Sequence, residues 1–438
     1  MEPTHRIAIV GGGFAGAAIA RRLLGRLPPG WEVMLLSEES TTTYNPLLPE
    51  VVGAAIFPEH VVAPLRQVVD VRRGGRFVMG RVTRADLAGR VLTCETLAGE
   101  QRFAYDHLVL AVGTRARLDL IPGMAEHAVP LKTVGDALHI RNLVLRRIAR
   151  IELETEPARR RQLGHFVVIG GGFSGVEVAG ALSDCLKGIA RYYPGAAPDE
   201  MKVTLLQDLP RLLPELPERL GAAALGMLRH GGVEVQLGAA AARIGPEGVT
   251  LKRGETLAAD TVVATIGTRP NALLATLGLV SERGRVCVEP ALRVRGHDDV
   301  WACGDCALVP NAHDGSTSPP TAQFAVRQAR QLADNLLAVV RGAAPRPFAY
   351  RPRGMLAAVG HLNGVAALTG LSLRGLPAWL LWRAYYLSQM PTFGRKLRIF
   401  VEWSWGMLFP PDITHIRFAR SIEQEPLPVG EPERSRAA

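Results

Sequence analysis

Cysteine is scarce in this chain: there are five in 438 residues, Cys94, Cys185, Cys287, Cys303 and Cys306. Thiols so few and odd in number exclude a disulfide framework and suit a reducing compartment. Only Cys303 and Cys306 stand at C-x-x-C spacing, and no second ligand pair matches them, so no metal site is expected. They read as small residues beside a Gly-Asp turn. Long apolar runs are also lacking. The longest stretch without a charge, 354–373, carries His361, Asn363 and four glycines. It reads as a β-hairpin, not as a span through lipid. Met1 leads into a strand at 6–10 with no apolar stretch before it, so a secretory signal is not expected. Acidic residues are outnumbered, 41 against 51 Lys and Arg, for a formal charge of +10. Such a balance suits nucleic acid, an anionic membrane or acidic ligands, and only its placement decides between them.

What is present is a glycine motif, twice. Residues 165–182 read HFVVIGGGFSGVEVAGAL. A β-branched apolar run predicts a strand buried on both faces. Gly170, Gly172 and Gly175 follow at G-x-G-x-x-G spacing and open a helix. The first permits the tight turn, the second the approach of a pyrophosphate, and the third close packing of helix on strand. The helix N-terminus adds free N–H groups and a positive dipole end. The chain opens with a second copy, in which Gly11, Gly13 and Gly16 follow a strand at 7–10. About 20 residues on, where an acid is expected for a ribose, stand Glu38 and Glu39, with Ser37 at the strand's end. In the later copy the corresponding strand ends in Gln207-Asp208. The length calls for two or three domains. The expected fold is α/β, with two Rossmann-like dinucleotide-binding domains, the second inserted in the first. Residues 1–125 and 276–345 make the first, 126–275 the second, and 346–438 a C-terminal region.

Other pieces fit around these motifs. The loop YNPLLPE at 44–50 mixes apolar and polar residues, as a wall against a flat aromatic cofactor would. Two strands end in Gly113-Thr114 and Gly267-Thr268. Asp305, after Gly304 at a strand's end, is placed to accept hydrogen bonds from cofactor hydroxyls. Pro319-Pro320 precede a confident helix over 321–340, on which Gln323, Arg327 and Gln328 are spaced to share one side. Arg159, Arg160 and Arg161 read as a solvated helix end or linker. The tail differs in kind. Four of six tryptophans (Trp379, Trp382, Trp403, Trp405) fall after 375, and between 371 and 420 seven Lys or Arg face two acids. Two amphipathic helices are expected there, with Leu376, Trp379, Leu380, Leu387 and Met390 on one face of the first. Leu397, Phe400, Val401, Trp405 and Leu408 line the second. Aromatic, basic amphipathic helices lie flat in a membrane interface; a dimer face or an extra core layer is the other reading of the same pattern. The charge therefore points to a lipid surface and not to nucleic acid.

Taken together, VGGGFAG, YNPLLPE, YDHLVLAVGT, VVIGGGFSGVEVAGAL, ACGDCA, PPTAQFAVRQARQLADNL and the Trp-rich tail resemble the type II NADH:quinone oxidoreductases of the two-dinucleotide-binding flavoproteins. The resemblance covers nearly the whole chain. It implies an FAD-dependent, non-proton-pumping transfer of electrons from NADH to a membrane quinone, by a protein peripheral to the cytoplasmic side of the inner membrane and open to forming a homodimer. It implies that Gly11, Gly13, Gly16, Glu38, Asn45, Gly113, Gly304, Asp305 and Ala322 serve FAD, and that Gly170, Gly172, Gly175, Gln207 and Gly267 serve the nicotinamide dinucleotide. Glu177 would sit near flavin and nicotinamide, and Gln323, Arg327 and Gln328 would border the quinone. The family's later Gln of Ala-Gln-x-Ala-x-Gln is Arg327 here, and its usual acid at the second-domain strand end is Gln207. A neutral residue there does not repel a 2′-phosphate, so NADPH is expected alongside NADH. A sulfide:quinone reductase would need redox cysteines at the flavin, a soluble ferredoxin reductase would not need the tail, and a redox-sensing flavoprotein would not turn over quinone.

Overall fold

The computed structural model describes residues 4–390 and 392–415. The chain forms two compact units. The first comprises 1–44, 59–116 and 268–353; the second comprises 45–58, 117–267 and 354–438. Residues 45–58 and the described part of the tail thus cluster with the second dinucleotide motif.

The first unit is built on a seven-stranded sheet in the order Val300–Ala302, His107–Leu110, His5–Val10, Trp31–Ser37, Gly75–Asp86, Val91–Thr96, Gly99–Ala104. Its first five strands are parallel, and the last two return antiparallel. The second unit is built on five parallel strands, Val129–Pro130, Thr261–Ala264, His165–Ile169, Lys202–Gln207 and Val233–Leu237. All five residues of His165–Ile169 are buried, as a strand covered on both faces requires. In each sheet the glycine-bearing strand is internal, flanked on one side by the next strand in sequence and on the other by a much later one. The crevice at its carboxyl end is therefore a switch point, where open α/β sheets take their ligands.

Two local expectations need correction. Arg159 and Arg160 are not simply solvated. On the short helix Pro157–Leu163, Arg159 makes two 2.7 Å bonds to Asp260 and Arg160 pairs with Glu200 at 2.6 and 2.7 Å. Residues 354–374 form a three-stranded antiparallel meander, Gly354–Ala358, Gly364–Leu368 and Leu371–Arg374, so the expected hairpin gains a third strand.

Candidate functional site

The two glycine turns have the same construction. Gly11 N–H donates to Leu36 O and Gly170 N–H to Leu206 O, both at 2.8 Å. Gly11 and Gly170 have φ of 109° and 112°, a region that favours glycine. A Cβ on Gly16 would strike the carbonyl of Gly11, and one on Gly175 the carbonyl of Gly170, so the third glycine of each turn is required by packing. The middle glycines differ. A Cβ on Gly13 or Gly172 meets no protein atom within 4 Å. Nothing inside the protein requires glycine there; the open space suits a close-approaching phosphate. Gly13 and Gly172 are also the N-caps of helices Phe14–Leu23 and Phe173–Ile189, and neither helix has a side-chain cap or an acid in its first turn. Helix Val134–Ile151, by contrast, is closed by a Thr133–Asp136 capping box. Uncapped N–H groups beside open space are what an anionic pyrophosphate fits.

In the first unit, Gly304 lies where two helix starts converge: a Cβ on it would sit 3.5 Å from both Ala15 and Ala325. Asp305 follows Gly304 directly, and Ala322 is the first residue of the helix Ala322–Val340 that carries Ala325. Glu38 follows strand Trp31–Ser37 and is held by Arg115 at 2.6 Å and Arg81 at 3.7 Å. Gly113, three residues beyond strand His107–Leu110, has φ 58° and open space at its Cβ position. Gln328 departs from expectation. It is buried, and its side-chain oxygen accepts from Gly304 N–H at 2.8 Å, so it braces the Gly-Asp turn and does not join Gln323 and Arg327. Arg327 instead lies 5.5 Å over the Tyr350 ring, and Gln323 is half-buried. Cys303 and Cys306 are buried; the Cys306 thiol donates to Leu110 O and Cys303 O, and burial pushes it up to about 11, so it stays a neutral thiol.

In the second unit, Gln207 is also engaged. Its oxygen accepts from Gly171 N–H at 2.9 Å, and its nitrogen donates to Arg211 O at 3.2 Å. The exposed acid at this strand end is the next residue, Asp208. Asn45 donates to Lys132 O at 3.3 Å, and Gly267 has φ 76°.

Glu177 has surroundings that spacing did not reveal. It is buried, and its Oε1 accepts from Ala358 N–H at 3.1 Å and from the Trp382 indole N–H at 2.9 Å. Burial, with Glu50 adding repulsion, pushes its carboxyl up to about 8 despite both donors. It lines a cavity of about 530 Å³ within this unit. A second carboxylate there, Glu50, accepts from the Trp403 indole N–H at 3.2 Å and lies 3.9 Å from Arg383. Arg383 is clamped between Trp379, 3.8 Å away, and Trp403, 4.7 Å away. Sequence reading missed Glu50, Arg383, Asp184 and His361. Glu50 at least was marked by the proline-rich YNPLLPE loop.

The tail corrects the expected face of its first helix and keeps that of its second. On helix Leu376–Gln389 the buried residues are Ala378, Trp379 and Trp382, while Leu376 and Leu380 are exposed. On helix Phe393–Trp405, Ile399 and Trp403 are buried. Leu397, Phe400, Val401 and Trp405 stay exposed, as does Leu408 just beyond, at 81%. No helix among the described residues is long and apolar enough to cross a membrane. Arg417 and Arg420 lie outside the described residues.

Fold and turns define a flavoprotein reductase with two dinucleotide sites, and residues 5–329 match the pyridine nucleotide-disulphide oxidoreductase family. The chain is 30% identical over 425 residues to the type II NADH:quinone oxidoreductase Ndh of Mycobacterium tuberculosis, covering 92% of this chain and 89% of that one. It is 27% identical over 445 residues to a mitochondrial internal alternative NAD(P)H-ubiquinone oxidoreductase of Solanum tuberosum, covering 94% and 88%. Its fold matches NDH2 from Plasmodium falciparum in complex with NADH with a TM-score of 0.88 at 16% identity, over 94% of this chain and 99% of that one. The chain belongs to the type II NADH:quinone oxidoreductase family.

Proposed function

We propose that this chain oxidises NADH through FAD and reduces a quinone drawn from a membrane surface, with the quinone head group in the cavity beside Glu177. Bound FAD supplies the hydride acceptor and two-electron carrier. Gly11, Gly13 and Gly16, with Gly113, Gly304, Asp305 and Ala322, hold it in the first unit; Glu38 meets its ribose. Gly170, Gly172, Gly175 and Gly267 hold NADH in the second. The observation that carries the quinone reading is the cavity's mixed lining. Phe57, Trp405 and Phe409, all substantially exposed, border it together with buried Glu177. An apolar rim suits entry of a lipid-soluble substrate, and a neutral carboxyl suits protonation of its reduced oxygen.

The exposed apolar residues of 397–408, interleaved with Arg395, Lys396 and Arg398, lie against the cytoplasmic leaflet as an amphipathic anchor. Val401→Trp narrows the cavity. It is expected to raise the quinone KM about tenfold while leaving turnover with ferricyanide, a soluble electron acceptor, near the parent value; one tenfold step is about 1.4 kcal/mol. An unchanged quinone KM would remove quinone from this cavity.

Gln207 supports use of both nicotinamides, because its neutral amide adds no charge against a 2′-phosphate and leaves Asp208 as the exposed acid of this strand end. Gln207→Glu keeps an acceptor for Gly171 N–H but adds a charge. The ratio of kcat/KM for NADPH to that for NADH is expected to fall about tenfold, the scale of one partly screened charge–charge contact. A parent enzyme already blind to NADPH would contradict this.

A further inference from the structure

The balanced reaction is NADH + quinone + H⁺ → NAD⁺ + quinol. One proton must enter from solvent in every turnover, and an apolar rim is a poor route for it. We propose that Glu50, supplied through Asp184 and His361, returns that proton to Glu177, making this wall of the cavity a proton inlet. The inlet rests on the quinone reading above.

All four residues line the one cavity, and their exposure is graded. His361 is exposed, Asp184 is intermediate, the Glu50 side chain is 13% accessible, and Glu177 is buried. The backbone N–H of His361 donates to Asp184 Oδ2 at 2.5 Å, which anchors the Asp184 carboxylate beside the residue whose imidazole meets solvent. Glu50 and Glu177 are each oriented by an indole N–H, from Trp403 and Trp382. A cavity of this volume with several polar partners has room for bridging water. The charged groups that border it with Glu50 are Glu177, Asp184 and Lys187 from helix Phe173–Ile189, Arg141 from helix Val134–Ile151, His361 from the meander, Arg383 from helix Leu376–Gln389, Glu402 from helix Phe393–Trp405, and Asp412 beyond it, 3.9 Å from Arg141. Arg383 is a fixed cation that does not give up its proton, so it orients Glu50 without joining the relay. Burial raises the Glu50 and Asp184 carboxyls from their ordinary values.

In the step itself the O–H bond of Glu177 breaks and an O–H bond forms on the quinone. The electron pair and the other quinol proton both derive from the NADH hydride, which bound FAD would pass on. Through cavity water the Glu50 carboxyl then reprotonates Glu177, and Asp184 with His361 passes a solvent proton to Glu50.

Glu50→Gln keeps an acceptor for Trp403 but cannot relay a proton; Asp184→Asn does the same nearer the surface. Each is measured as purified holoenzyme with a short-chain quinone and with ferricyanide, which takes electrons without protons. Quinone kcat is expected to fall about tenfold or more in Glu50→Gln and less in Asp184→Asn, with a larger loss as pH rises. Ferricyanide turnover and quenching of tryptophan fluorescence by quinone should stay at parent values. Parent-like quinone kcat across pH in both variants, while Val401→Trp still raises the quinone KM, overturns the inlet and leaves the quinone site standing. Joint loss of quinone and ferricyanide turnover, or a weakened quench, makes Glu50 a structural residue and also overturns it.

Discussion

Replacing Gly172 by valine is expected to leave a folded, yellow protein that NADH no longer bleaches, whereas Gly13→Val is expected to give a folded protein without flavin. The reason is the same in both turns. Each middle glycine has ordinary φ, −73° at Gly13 and −76° at Gly172, so a branched side chain adds no backbone strain. Beyond the adjoining chain, no atom of the described protein lies within 4 Å of the added Cβ. The side chain therefore fills only the space kept for phosphate. Displacing a pyrophosphate by about an ångström costs on the order of 10²-fold in rate, and outright exclusion costs more. Gly16→Val and Gly175→Val should instead fail to fold, because their Cβ atoms would enter a carbonyl oxygen one turn back. Visible flavin absorbance, anaerobic bleaching by NADH and circular dichroism separate these outcomes. Bleaching of Gly172→Val at the parental rate would exclude this turn as the nicotinamide site.

At Glu177 the two obvious substitutions should part company. Glu177→Ala leaves the Trp382 indole N–H and the Ala358 amide buried without an acceptor. Each orphaned donor costs about 1–3 kcal/mol, so the midpoint in denaturant should fall visibly. Glu177→Gln keeps an acceptor oxygen and should fold as the parent does. Both should lose on the order of 10²-fold in quinone turnover, the usual contribution of a positioned general acid. The pH profile carries the signature. With its carboxyl near 8, Glu177 is the neutral, donating acid below that pH and a carboxylate above it. Parent quinone turnover should therefore decline as pH rises through about 8, and Glu177→Gln should lack that limb. The same shift links to stability. A proton held more tightly in the fold than in the open chain favours the fold fully below the ordinary carboxyl range, and that contribution is lost as pH rises toward 8. A parent profile flat through pH 8 would remove Glu177 as the acid.

Both glycine turns and the strands that lead into them were legible in the residues alone, whereas the membership of 45–58 and of the described tail in the second unit was not. The requirement the turns meet is local: a tight turn, a close approach and a helix start must follow one another within six residues, so the spacing records the chemistry. Gln207 was visible as a neutral residue where an acid is usual, and Glu177 as an acid in a helix start. Their partners were not visible. Gln328 shares a helix with Gln323 and Arg327, yet one residue of offset turns its amide into the core against Gly304. Helical period sets which residues share a face but not which face meets a neighbour, and for that reason Trp379 and Trp382 are buried while Leu376 and Leu380 are exposed.

The cavity is the clearest case of what only tertiary structure decided. Glu50, Glu177, His361 and Arg383 are spread over more than 330 positions, and no periodicity connects them. They meet because residues 354–390 and 392–415 pack with 45–58 and 117–267 in the second unit, where two indole N–H groups and one guanidinium find buried carboxylates that would be costly to leave without partners. By itself the sequence determined that two dinucleotides are held, since phosphate binding is written in backbone conformation at adjacent positions. Where a quinone could meet an acid was decided by long-range packing, because burial and the resulting shift in acidity exist only once distant segments have closed around the same space.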